Sequence, residues 1–193
     1  MEVTTTDRGH LAYHPEQLCL DSFDFELYTD GGSAGTSDFG GSGANVIGRS
    51  RGIWRSVVSA TTFSGAYRAE FQALLDGLHA IVVLLGLKES EKSLRHLEDG
   101  RLKVFWLSDN EALVMNVRGE GARRTEGPMW AAFEWYCRYF DVHAYFMGRN
   151  QNALQASSDR LATSTRIAIK EHHIMLEHAG ALIDPANQAG RSL

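Results

Sequence analysis

The chain has 193 residues, of which 44% are hydrophobic and 22% are charged, and its formal net charge is −5. This size and composition are typical of one globular domain with extensions, and the negative charge excludes a generally basic nucleic-acid coat protein. Two cysteines, Cys19 and Cys137, are too few for a disulfide framework. The longest apolar run, at 80–87, is too short for a membrane span, and residues 1–18 lack the apolar core of a signal peptide. We therefore expect a soluble, intracellular chain, or one carried inside a particle, with no membrane partner.

The N-terminal part of the chain predicts an arm followed by three strands. Residues 1–22 show no periodicity and are predicted to form the arm. From Phe23 the alternating pattern FDFELYT predicts a strand that stops at Asp30 and the sequence GGS. The glycine-rich segment GTSDFGGSG then leads into ANVIGRS and GIWRSVVSA, and the three strands are predicted to form an antiparallel meander.

The middle of the chain predicts a long helix and a buried strand. Apolar residues recur at helical spacing between Phe71 and Leu85, Gly86 ends the helix, and Glu70 is expected in its first turn. The polar sequence KESEKSLRHLEDG predicts a solvent-exposed excursion. The apolar run LKVFWLSD is typical of a strand covered on both faces, and it ends at Asp109.

The C-terminal part predicts three helices and a fifth strand. NEALVMNV indicates a short helix, GEGARRTEG a loop, PMWAAFEWYCRYF an amphipathic helix with proline in its first turn, and DVHAYFM a strand. After the loop GRNQN, a last helix is expected from Ala153 to His178, containing Asp159, with a flexible tail at 179–193. The order of elements predicts one α/β domain at 23–178, a five-stranded mixed sheet flanked by helices.

Four acids occupy positions that predict a shared site. Asp30 and Asp109 end strands, and Glu70 and Asp159 lie on helices. If the two strands are parallel neighbours, their ends meet at one edge of the sheet. Each acid alone is well explained as a cap or a surface residue, but the set favours a cluster. Oxygen ligands without histidine or cysteine favour Mg²⁺ or Mn²⁺ over zinc, and two such ions about 4 Å apart suit in-line hydrolysis of a phosphodiester.

The segments YTDGGS, AYRAEFQALLDGL, WLSDNEALV and SSDRLAT resemble the motifs of the ribonuclease H (RNase H) family. The resemblance covers residues 23–166 and is strongest to the reverse-transcriptase-associated branch found in retroelements. It implies a metal-dependent endonuclease that cleaves the RNA strand of RNA/DNA hybrids with two Mg²⁺ ions, for which Mn²⁺ can substitute. It further implies that the two ions are held by four acids, Asp30, Glu70, Asp109 and Asp159. Of these, Asp30 would bridge both ions.

The chain departs from the family pattern at three places. Where many members have a histidine before the last aspartate, the loop GRNQN offers Arg149, which can hold the scissile phosphate but cannot act as a base. Where bacterial-type members place asparagines that read the RNA 2′-hydroxyls, this chain has Ala66 and Tyr67, which leaves hybrid selectivity open. The basic protrusion of some bacterial members is replaced by an arginine-bearing loop.

Contacts with nucleic acid are expected from three parts of the chain. The first group lies close to the acids in the sequence. It consists of the backbone amides of Gly31, Gly32 and Ser33 after the first strand, Tyr67 at the first helix, and Asn110 after Asp109. The arginines of the replacement loop form the second, and they either contact the DNA backbone or are simply solvated: Arg118, Arg123 and Arg124. His143, Trp106, Trp130 and Trp135 are interpreted as structural residues.

Two other functions remain open from the sequence. The same fold serves DNA nucleases such as junction resolvases, and it can serve as a non-catalytic binding module inside a larger complex. A 3′–5′ exonuclease is disfavoured, because its usual D-x-E pair corresponds here to Asp30 and Gly32. The N-terminal arm, the excursion after the first helix and the long last helix predict docking surfaces for a protein partner, such as a polymerase-type complex.

Overall fold

The computed structural model describes residues 20, 22–33, 39–61, 65–87, 100–122, 126–149 and 151–183, with side chains as far as 175. Its elements are β1 (Phe25–Ser33), β2 (Gly40–Gly48), a 3-10 turn (Arg49–Arg51), β3 (Ile53–Thr61), α1 (Ala66–Leu84), β4 (Leu102–Ser108), α2 (Glu111–Val117), α3 (Gly127–Tyr136), β5 (Phe140–Phe146) and α4 (Ala153–Ile183). Most of the predicted arm, the excursion at 88–99 and the tail from 184 lie outside the described residues.

The five strands form one mixed sheet in the order β3-β2-β1-β4-β5. Strands β1, β2 and β3 form the predicted antiparallel meander, whereas β1 pairs with β4, and β4 with β5, in parallel. The predicted fold class is therefore confirmed. Because β1 and β4 are parallel neighbours, their carboxyl ends lie at the same edge of the sheet, where the two aspartates were expected to meet.

Helices cover both faces of the sheet, and the side chains of β1 and β4 alternate between two apolar clusters. On one face Leu27 and Trp106 join the core formed with α1, α2 and α3. On the other face Tyr28 and Phe105 belong to a smaller cluster against which Leu154 of α4 packs. Strand β4 is thus buried on both sides, as its almost wholly apolar sequence predicts. Among the described residues, no helix combines the length and apolar character needed to cross a bilayer.

Several predicted boundaries differ from the observed ones. The helix predicted over 128–140 ends at Tyr136, and Phe140 already begins β5. Strand β1 does not stop at Asp30 but continues to Ser33, because the two glycines keep their places in the ladder with β2. Helix α1 begins at Ala66, so Glu70 lies in its second turn rather than its first. Helix α4 continues past His178 to Ile183, one residue before the Asp–Pro dipeptide that is a strong stop signal.

Candidate functional site

Asp30 lies within β1, where it is paired with Gly43 of β2. The residue is 3% exposed, and its Oδ1 accepts a hydrogen bond of 2.9 Å from the backbone N–H of Gly31. One hydrogen bond does not compensate the burial of a carboxylate, so this position requires further positive or hydrogen-bonding partners.

Gly31 allows α1 to approach β1 closely at this point. A Cβ atom at this position would lie 2.1 Å from the carbonyl carbon of Ala69 and 2.2 Å from the backbone nitrogen of Glu70. Because no side chain larger than hydrogen fits, the backbone of the helix packs directly on the strand. The close packing brings the buried carboxyl group of Glu70, which is 2% exposed, beside that of Asp30.

Asp109 directly follows β4 and completes an acidic cluster. Its side chain is 4% exposed, and the next residue, Asn110, starts α2 by accepting a hydrogen bond from the backbone N–H of Leu113 at 3.0 Å. One carboxylate oxygen from each of Asp30, Glu70 and Asp109 lies within 4.8 Å of the others. Three of the four predicted acids are therefore in one compact group.

Asp159, the fourth predicted acid, lies on α4 at the rim of the group. It is exposed, and it lines a pocket of about 160 Å³ together with Asp30, Asp109, Arg149, Gln155 and Ala156. Two helix side chains fix α4 against β1: Gln155 Nε2 donates to Thr29 O at 2.6 Å, and Ser158 Oγ donates to Tyr28 O at 2.8 Å. These bonds hold Asp159 at the mouth of the pocket.

Burial and mutual repulsion disturb the titration of the cluster. Burial raises the pKa of Asp30 from 3.8 to about 7; a hydrogen bond with Glu70 opposes the rise, and the charges of Asp109 and Asp159 add to it. Burial likewise raises the pKa of Glu70 well above its usual value, with the negative charges of Asp30 and Asp109 acting in the same direction. Without a cation, the cluster therefore holds protons at pH values where carboxyl groups are normally ionised.

Arg149 supplies a positive charge at the open side of the cluster. Its Nε donates to Oδ2 of Asp109 at 2.6 Å, and its side chain is 73% exposed. The hydrogen bond to Asp109, together with the attraction of that carboxylate, raises the pKa of the guanidinium above its usual value. The predicted neighbourhood of Arg149 and the acids is thus present in the structure.

The oxygens of the cluster fit a divalent cation. Within the described part of the chain, Glu70 Oε2 and Asp109 Oδ1 are buried and accept no hydrogen bond. Buried oxygens without a donor are costly unless a metal ion satisfies them. A set of three to four carboxylates with no nitrogen or sulfur is the ligand type of Mg²⁺ and Mn²⁺.

The residues predicted to contact nucleic acid near the cluster are partly engaged in contacts within the chain. The N–H of Gly31 donates to Asp30, and the backbone oxygen of Ser33 accepts a hydrogen bond from Arg166 at 3.2 Å. Gly32 lies next to them in β1. The hydroxyl group of Tyr67 accepts a hydrogen bond of 2.8 Å from an amide side chain of α2. Asn110 uses its side-chain oxygen as the cap of that helix.

The predicted loop arginines are only partly described. Arg118 forms an ion pair of 2.9 Å with Glu120 and also donates to the backbone oxygen of Ala144 at 3.4 Å. Its guanidinium is therefore directed at the protein. Arg123 and Arg124 lie outside the described residues.

The side chains interpreted as structural contact other residues of the chain. His143 Nε2 lies 3.0 Å from Oδ2 of Asp141. Trp106 and Trp130 are buried, and Trp135 is partly buried against the same core.

Gln155 belongs to the site but was not predicted from the sequence. It is 2% exposed, it lines the pocket, and it lies one helical turn before Asp159, on the same side of α4. The i, i+4 spacing from a predicted acid was the available signal. A glutamine in a helix is too common for that spacing to single it out.

Comparisons with known proteins identify the fold. No protein-family model and no curated protein matches the sequence. Among solved structures, the N-terminal RNase H domain of a Mycobacterium tuberculosis protein, solved as a maltose-binding-protein fusion, is similar with a TM-score of 0.58 and 19% identity, covering 77% of this chain and 97% of that one. LC11-RNase H1 in complex with an RNA/DNA hybrid gives 0.55 and 18%, covering 75% and 98%. RNase H1 from Halobacterium salinarum gives 0.52 and 18%, covering 73% and 96%. The chain therefore has the fold of RNase H domains.

Proposed function

We propose that this chain is a metal-dependent endonuclease of the ribonuclease H type, which hydrolyses the RNA strand of RNA/DNA hybrids. One observation carries the proposal: Asp30, Glu70 and Asp109 converge within 4.8 Å at one edge of a sheet with the RNase H fold. A fold alone does not define an activity, whereas a compact group of carboxylates suited to divalent ions supports hydrolysis of a phosphodiester.

The residues of the cluster would hold one or two divalent ions. Asp30, Glu70 and Asp109 provide the buried oxygens, two of which lack a donor within the described residues, and Asp159 provides a further carboxylate at the rim. When bound, Mg²⁺ or Mn²⁺ would supply Lewis-acid activation of a water molecule and stabilisation of the leaving oxygen. Protons that burial keeps on Asp30 and Glu70 would have to leave before the ligands become available.

Arg149 would hold the scissile phosphate. Its exposed guanidinium lies at the mouth of the pocket, and a planar cation of this kind binds phosphate oxygens through two parallel hydrogen bonds. In the reaction, a bond forms between the water oxygen and phosphorus, and the bond to the 3′ oxygen breaks. The products carry a 5′ phosphate and a 3′ hydroxyl group.

The proposal also specifies the substrate, which is an RNA/DNA hybrid. It is supported by the similarity to LC11-RNase H1, a protein solved in complex with an RNA/DNA hybrid. Gly31, Gly32 and Ser33 follow Asp30 in β1, Tyr67 lies one turn before Glu70 in α1, and Asn110 follows Asp109. We propose that these residues contact the nucleic acid. We further propose a protein partner or a retroelement-type machine as the biological setting.

A cleavage assay on defined substrates tests the proposal. End-labelled RNA/DNA hybrid, duplex RNA, duplex DNA, a four-way DNA junction and single strands would be incubated with Mg²⁺, with Mn²⁺ and with a chelator, using Asp109→Asn as the inactive control. The proposal predicts metal-dependent cutting of the RNA strand of the hybrid only. Cleavage of duplex or branched DNA would support the nuclease activity but contradict the proposed RNA/DNA hybrid substrate. If none of the substrates is cleaved, a non-catalytic binding module is favoured.

A further inference from the structure

Gln155 has a buried amide whose two ends face different surroundings. The residue is 2% exposed in the first turns of α4, and its Nε2 donates to the backbone oxygen of Thr29 at 2.6 Å. A backbone oxygen only accepts hydrogen bonds, so the amide nitrogen must be the atom that faces Thr29. The orientation of the amide group is therefore fixed, and Oε1 is the polar atom left for another partner.

Oε1 of Gln155 has no donor among the described residues, although it is buried. The residue lines the same pocket as Asp30, Asp109 and Asp159. Ionised carboxylates only accept hydrogen bonds, so the acids do not provide the missing donor once a cation has displaced their protons. Among the described residues that line the pocket, Arg149 is the one cation, and it is bonded to Asp109. A buried, unpaired acceptor on a residue that lines an acid-lined pocket calls for a donor that enters with a ligand.

We propose that Gln155 is a positioning residue, whose Oε1 accepts a hydrogen bond from a water molecule in the hydration shell of the divalent ion. This inference rests on the proposed function and deepens it. Mg²⁺ retains several waters when proteins bind it, and such waters are strong donors and poor acceptors. A neutral amide oxygen suits them, because it holds and orients the water without taking its proton. Partners of this kind typically change metal affinity or activity by about 10–100-fold.

Two substitutions separate this role from the structural bond to Thr29. Gln155→Met and Gln155→Glu both remove the amide N–H that donates to Thr29, but only the glutamate keeps an oxygen at the position of Oε1. Arg166→Met is the matched control, because Arg166 also bonds α4 to the backbone of β1, with its Nη1 donating to Ser33 O at 3.2 Å, and does not line the pocket.

Binding of Mn²⁺ gives a readout that does not depend on hydrolysis. Each variant of the full chain would be titrated with Mn²⁺ by calorimetry, and its thermal unfolding would be recorded in chelator and with Mn²⁺. We expect Gln155→Met to bind Mn²⁺ about tenfold more weakly and to gain less thermal stability from it. Gln155→Glu should bind at least as tightly as the parent, and Arg166→Met should bind within about twofold of it.

Steady-state cleavage of the hybrid adds a second readout. Gln155→Met should lower kcat by about 10–100-fold with KM for the hybrid nearly unchanged, since the residue orients water rather than nucleic acid. If Gln155→Met and Gln155→Glu lower kcat and Mn²⁺ affinity equally, Gln155 acts only through its hydrogen bond to Thr29 and the inference is overturned. Unchanged Mn²⁺ affinity in Gln155→Met would also overturn it. If the parent cleaves no substrate but the Mn²⁺ pattern is as expected, the inference stands and the proposed nuclease function fails.

Discussion

The Nε of Arg149 lies 2.6 Å from Oδ2 of Asp109, so an exposed cation is paired with a carboxylate that is itself nearly buried. The pair places the positive charge at the edge of the cluster, where a substrate phosphate and a divalent ion would both have to be accommodated. The arginine therefore has two opposing effects: it competes with a metal ion for Asp109, and it attracts the phosphate.

Replacement of Arg149 by alanine should separate these effects. We expect Arg149→Ala to bind Mn²⁺ more tightly, because no positive group then competes for Asp109. Cleavage of the hybrid should fall by about 10²-fold, because the phosphate loses a fixed donor. Calorimetric titration and steady-state kinetics measure the two effects. Arg101→Ala is the control, because Arg101 is an exposed arginine beside Asp141 at the opposite end of β4; a similar change there would refute the assignment.

The stability of the chain should decrease as the pH rises when no divalent ion is present. The pKa of Asp30 is raised from 3.8 to about 7, so between these values the folded chain retains a proton that the unfolded chain releases. Its contribution to stability is therefore full below pH 3.8 and is lost as the pH approaches 7. The raised pKa of Glu70 acts in the same direction.

Thermal unfolding in chelator from pH 5 to pH 8 measures this effect. We expect Tm to fall by several degrees over this range, and Mg²⁺ to raise Tm more at pH 8 than at pH 5, because protons and metal compete for the same oxygens. Asp30→Asn should flatten the pH dependence, whereas Glu120→Gln, at a surface carboxylate beside Arg118, should leave it unchanged. A Tm that rises from pH 5 to pH 8 in the parent would contradict the protonated cluster.

Gly31 should be intolerant of even a methyl group. In Gly31→Ala the new Cβ would lie within 2.3 Å of three backbone atoms of Ala69 and Glu70, which cannot move without displacing α1. We expect a loss of about 1–3 kcal/mol in the free energy of unfolding, from overpacking, together with a loss of metal affinity as Glu70 shifts.

The neighbouring glycine is a close control for this prediction. In Gly32→Ala the nearest atom is 3.5 Å away, at the end of the Arg166 side chain, which is an ordinary contact. Denaturant unfolding of both variants should therefore separate them clearly. Equal stability of Gly31→Ala and Gly32→Ala would mean that the close contact between β1 and α1 does not position Glu70.

The fold could be predicted largely from periodicity. Alternation identified the meander, the apolar run around Trp106 identified a strand buried on both faces, and helical spacing identified α1. The predicted end of β1 was wrong. A pair of glycines usually signals a turn, whereas here Gly31 and Gly32 continue the strand. The close contact that requires Gly31 depends on the position of α1, which local sequence does not encode.

The site was predictable in its acids but not in its remaining polar groups. Asp30 and Asp109 could be placed together because parallel strands end at one edge, and this arrangement holds. Gln155 could not be identified, because its role depends on which end of its amide meets Thr29 and which oxygen remains unpaired. The capping role of Asn110 follows from its position before a helix, which the prediction of a nucleic-acid contact had not considered.

The most direct test compares the parent with Glu70→Gln on an end-labelled RNA/DNA hybrid at pH 8 with Mg²⁺, alongside thermal unfolding of both in chelator. The buried carboxyl group of Glu70 is unfavourable for folding at this pH without a cation, so its neutral isostere should raise Tm. We expect Glu70→Gln to be more stable than the parent and to cleave nothing above the enzyme-free background. A variant that still cuts the hybrid at the parental rate would contradict the claim that this acidic cluster is the hydrolytic centre.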